Sequence, residues 1–184
     1  MRFILVMLAV LLTASCARET DSVESQRGAL TVLALPETAL SKELMLSLGQ
    51  AKNYHHKADV LLSDGRLDEA ADEIAKIMHI PFPENAPESE DALLDTRARL
   101  AKMRMGQSKL AEGMRLVDEG ISEASRPSFF LANLHTVRGE LFEAQAKAAL
   151  PGSEASRHAK IEAIAAFDTS IQINAALLDS IAKE

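Results

Sequence analysis

From Leu44 onward, side chains that suit a helix interior recur every three or four positions, and this period constrains the fold more than any other feature. Leu44, Leu48, Ala51, His55, Ala58 and Leu62 line one face of a helix. Further stretches of the same kind follow, each closed by residues that a helix does not continue through. Ser63-Asp64-Gly65 ends the first, with Gly65 suited to a left-handed cap. Pro81, Pro83 and Pro87 interrupt the chain after the second, because each removes a backbone donor. Gly106, then Ser125-Arg126-Pro127, then Pro151-Gly152 mark the later ends. The pattern predicts helices over about 38–63, 67–79, 88–105, 108–124, 128–150 and 155–182. Asn85, with Glu88 three residues on, has the form of a capping box for the third. Short connections make the six helices three antiparallel pairs.

Composition points the same way. The 184 residues include 30 alanines and 25 leucines, against no Trp, one Tyr and six Phe. Ala and Leu lose little side-chain freedom in a helix, and the residues that favour strands are scarce. An all-α body is therefore expected. The formal charge is -7, and the first 15 residues carry only Arg2, so the remainder carries -8. An acidic surface without a basic stripe repels phosphate, which excludes nucleic acid as a partner.

The first residues read as an address. Met1-Arg2 precedes the apolar run from Phe3 to Leu12, and Thr13-Ala14-Ser15 leads to Cys16. A positive start, an apolar stretch and a small-residue exit describe a secretory signal. Ten helical residues span only about 15 Å, half a bilayer core, so this run is not a membrane anchor. No later segment reads as long and apolar enough to cross. Cys16 is the only cysteine, which excludes an intramolecular disulfide. Ala14-Ser15-Cys16 resembles the lipobox of bacterial lipoproteins, with a departure at Thr13, where that family prefers the leucine found here at Leu12. The resemblance implies that Cys16 becomes an acylated N-terminus, whose buried methylenes contribute ~0.8 kcal/mol each. Ala17, in place of the Asp that retains enteric lipoproteins at the inner membrane, implies the outer membrane, facing the periplasm. The expected organisation is a signal peptide over 1–15, a lipidated cysteine and flexible tether over 16–36, and a helical domain over 37–184. Within the tether, residues 29–35 form a short apolar run expected to pack as an extended segment.

The three helix pairs resemble one another. Ala58, then Gly65-Arg-Leu-Asp-Glu-Ala70, then Ile74 mark the first; Ala101, then Leu110-Ala-Glu-Gly113, then Val117 mark the second. Gly139, then Ile161-Glu-Ala163, then Phe167 mark the third. Each pair sets small residues where two helices must come close, with a larger apolar residue four positions later. This is similar to the tetratricopeptide repeat, over about residues 50–175. Sparse aromatics, long helices in the first and third pairs, extra residues around 150–158 and Gly113 in an alanine's place all depart from that family. The resemblance implies three hairpins stacked as a short right-handed solenoid, and a plain antiparallel bundle is the alternative.

Catalytic constellations are not legible. Five histidines are scattered, and the chain has neither a Gly-x-Ser-x-Gly motif nor a phosphate-binding glycine loop. His55 and Asp59 lie one helical turn apart, but two ligands do not make a metal site, and a solvated histidine is the expectation. No enzyme activity, metal or cofactor is expected. Met103, Met105 and Met114 read as core filling. The tetratricopeptide resemblance assigns binding to the leading helix of each pair, on the side away from its return helix. Carried onto this chain, that face presents Lys52, His55 and Asp59, then Asp95 and Lys102, then Asn133, Thr136 and Glu140. The expected function is a membrane-anchored adaptor, or scaffold, that takes a protein or peptide partner in the cell envelope. The alternative is a small-molecule carrier with an interhelical pocket, which an alanine-rich, aromatic-poor chain disfavours.

Overall fold

A computed structural model describes residues 40–183 of the chain. Six α-helices follow in order: α1 (Lys42–Ser63), α2 (Leu67–Ala75), α3 (Pro87–Gly106), α4 (Leu110–Glu123), α5 (Phe129–Ala148) and α6 (Glu154–Ile181). A 3-10 segment, Lys76–His79, prolongs α2, so the predicted second helix tightens in its last turn. The described residues are all-helical, without a strand. The expected signal peptide, the expected lipidation site Cys16 and the apolar run 29–35 lie outside the described residues.

Serines start three of the helices. The hydroxyls of Ser41, Ser128 and Ser153 each accept the backbone N–H three residues on, at 3.1 Å. The third helix departs from expectation. Its cap is Ala86 and its first residue is Pro87, with no side-chain cap from Asn85. Proline suits that position because its fixed φ is helical and the N–H it lacks would be unpaired there. The expected capping box does not form for that reason.

The turns of the first two hairpins share one geometry. Gly65 has φ +74°, and Arg66 N–H bonds back to Leu61 carbonyl at 2.8 Å. Ser108 has φ +62°, and Lys109 N–H bonds back to Arg104 carbonyl at 2.8 Å. Gly106, expected to end α3, is instead its last residue, and the left-handed position falls on Ser108. A Cβ at Gly106 would lie 3.3 Å from Leu67 Cδ2, so this glycine serves the close approach of α2.

Each helix packs on its neighbour in the chain: α1 on α2, α3 on α4, α5 on α6. The hairpins join through α3, which also touches α1, α2 and α5, while α4 touches α5. Between them lies the core, with Ile74, Ile77, Val117, Leu134, Val137 and Leu141 fully buried. Met103 is buried, and Met105 and Met114 pack against the same core, filling gaps as expected. The small residues sit where helices meet: Ala58, Ala70, Ala101 and Ala163 are buried, and a Cβ at Gly113 would touch Leu141 at 3.0 Å.

The last helix is different. α6 meets α5 alone among the described helices, through Ser156, Ala159, Ala163, Ala166 and Ser170. It is also long and apolar enough, by length and composition, to cross a membrane, which corrects the expectation that no later segment is. The expectation failed because its charges cluster in the first turns, leaving the stretch from Ala163 onward dominated by Ala, Ile and Leu.

Candidate functional site

The expected binding residues lie on the three leading helices, α1, α3 and α5, which stand side by side. Arg99 of α3 is the centre of what the structure brings together. It lies four residues after Asp95 and three before Lys102, so all three share one side of α3. Its guanidinium donates to His55 Nδ1 at 3.0 Å and to Asp59 Oδ1, both on α1. His55 Nε2 stands 3.9 Å from Asp95 Oδ2. A turn further along, Lys102 reaches across to Glu140 of α5 at 3.0 Å. Polar pairs thus tie α1 to α3 and α3 to α5 on one surface.

His55 is half-buried, which corrects the expectation of a solvated histidine. Burial lowers its pKa below 6.5, and Arg99 lowers it further against the opposing pull of Asp95 and Asp59. Because a guanidinium only donates, Nδ1 is the acceptor and the proton of the neutral ring sits on Nε2, toward Asp95. The guanidinium also occupies the space a metal would need between His55 and Asp59. No cluster of three or more His, Cys, Asp or Glu in metal-binding proximity occurs among the described residues.

Thr136 corrects the assignment for the third pair. Its hydroxyl lies 2.9 Å from Ser170 Oγ on α6 and 3.2 Å from Ala132 carbonyl. It therefore faces its own return helix, not the side away from it. Lys52 is exposed and Asn133 is half-buried. Comparison with family models, curated proteins and solved structures gives no match.

Arg99 is absent from the residues that the repeat resemblance assigns. Its i, i+4 spacing from Asp95 is legible in the sequence, but its main partners lie about 40 positions away on α1. The other side of α3 repeats the device toward α4, where Arg97 is buried and bonds Glu119 at 2.9 Å and Glu123 at 2.7 Å. Chemically, the α1–α3–α5 face offers a surface of paired charges that accepts or donates hydrogen bonds.

Proposed function

We propose that this chain is a lipid-anchored adaptor of the bacterial envelope, without enzymatic activity, that takes a protein or peptide segment on the face of α1, α3 and α5. The carrying observation is the linkage of these leading helices by His55, Asp59, Asp95 and Arg99, and by Lys102 and Glu140. Hairpins that join through their leading helices support a short tetratricopeptide-like, right-handed solenoid, an architecture whose extended face suits elongated partners. The lipobox-like Ala14-Ser15-Cys16 supports attachment through Cys16, and Ala17 supports the outer membrane. Photo-crosslinkers at Lys52 and Asn133, in the membrane-anchored chain in cells, test the face. Adducts there, and none from Asp72 or Ala111 on the trailing helices, are expected. Adducts confined to the trailing positions reject it.

One observation favours the small-molecule carrier. A cavity of about 540 Å³ opens between the end of α5 and the start of α6, lined by Ala146, Ala163, Ile164, Phe167, Lys147 and Lys160. That volume suits a small ligand, with the two lysines placed for an anionic group. Native mass spectrometry separates the readings, since a co-purifying small molecule belongs to the carrier alone.

A further inference from the structure

A helix face that no neighbour covers is ordinarily polar. α6, which meets α5 alone among the described helices, departs from this. Its buried stripe against α5 consists of small residues, Ala159, Ala163 and Ala166 among them. Its large aliphatic residues point away: Ile161, Ile164, Ile171 and Leu178 are 64%, 61%, 64% and 67% exposed. With Asp168 and Ala175, also exposed, they fall at alternating spacings of three and four, the period of a coiled-coil seam.

We infer that this seam is the contact through which two copies of the chain pair, α6 against α6, in antiparallel order. Run antiparallel, the seam is self-complementary. Ile161 meets Leu178 of the second copy, Ile164 meets the small Ala175, and Asp168 meets Ile171. A parallel, in-register pair would set the two Asp168 carboxylates directly against each other, which like charges oppose. The antiparallel order staggers them. A bilayer is the poorer occupant, since it would surround the mid-seam Asp168 with hydrocarbon, whereas at the edge of a two-helix seam the carboxylate still reaches water. The four aliphatic side chains and their flanks offer roughly 500 Å² per copy, or about 1,000 Å² in total. That reaches the size at which specific association begins, so the dimer is one that dissociates on dilution.

The test uses the full chain carrying Cys16→Ser, in sedimentation over a concentration series. A monomer–dimer equilibrium is expected. Ile164→Glu with Ile171→Glu should abolish the dimer while leaving helicity, and melting at dilutions where the parent is monomeric, unchanged, as both sites are exposed in the single copy. Copies carrying Ile161→Cys, mixed with copies carrying Leu178→Cys, should form the mixed disulfide in preference to either symmetric one. Symmetric disulfides alone overturn the antiparallel pairing. A chain that stays monomeric throughout the series overturns the inference. If Ile164→Glu then lowers the melting temperature, the face belongs to another segment of the same chain, such as residues 29–35. If it abolishes flotation with phosphatidylethanolamine vesicles, the face belongs to lipid.

Discussion

Gly139 of α5 lies directly beneath the ring of Phe167 on α6: a Cβ built on the glycine would stand 2.6 Å from Phe167 Cε1. The absent side chain therefore sets how closely the last two helices pack and how α5 is rotated. That rotation also turns Thr136, one turn earlier, toward Ser170.

Gly139→Ala should destabilise the domain by about 1–3 kcal/mol, the usual cost of overpacking. For a domain of this size, each kcal/mol lowers Tm by roughly 2–4 °C. Phe167→Leu in the same chain removes the clashing ring atoms and should recover part of the loss. A double-mutant cycle by thermal melting measures the coupling. Additive effects would show that the two residues do not meet.

Ser108 adopts at the second turn the left-handed conformation that Gly65 adopts at the first. A non-glycine residue there carries a steric cost of about 1–2 kcal/mol, partly offset by the greater chain entropy glycine loses on folding. Ser108→Gly is expected to stabilise by about 0.5 kcal/mol, and Gly65→Ser to destabilise by a similar amount. Urea midpoints check both signs.

The half-buried His55 gives the fold a pH dependence. Its folded pKa lies below the unfolded value of 6.5, so the neutral ring is the form the fold accepts. This stability is fully present above about pH 6.5 and is lost as pH falls toward the folded pKa, as protonation brings a second cation beside Arg99. His135, lowered by burial and then by Arg138, acts in the same direction. Urea midpoints taken from pH 7.5 to pH 5 should fall less in His55→Gln than in the parent chain. Equal slopes would remove His55 from the account.

Attachment through Cys16 predicts that Cys16→Ser moves the protein from the detergent-extracted membrane fraction to the soluble fraction. Labelling with a palmitate analogue should be lost in the same variant. Retained label would overturn the lipoprotein proposal. A buried acyl chain contributes ~0.8 kcal/mol per methylene, so loss of the anchor should be nearly complete rather than graded.

Local chemistry decides where helices start and stop, so the sequence alone determined the six helices, the turn at Gly65 and the breaks at Pro127 and Pro151-Gly152. It also marked the close approaches, because a small residue at Ala58, Ala70, Ala101, Gly139 or Ala163 is a demand that survives without knowing the neighbour. Even local rules misplaced starts: α1 begins at Lys42 rather than about 38, and Asn85 and Pro87 competed for the start of α3. What only the tertiary structure decided is rotation and partnership. The repeat resemblance places Thr136 on the outward side, but the angle of α5 is set by the bare backbone at Gly139 under Phe167. Arg99 became the hub of the candidate site because α1 and α3 lie side by side, which no spacing within either helix contains. Helical periodicity counts the apolar residues of α6 but does not say which stripe finds a neighbour. Packing gave α5 the alanine stripe and left Ile161, Ile164, Ile171 and Leu178 facing outward.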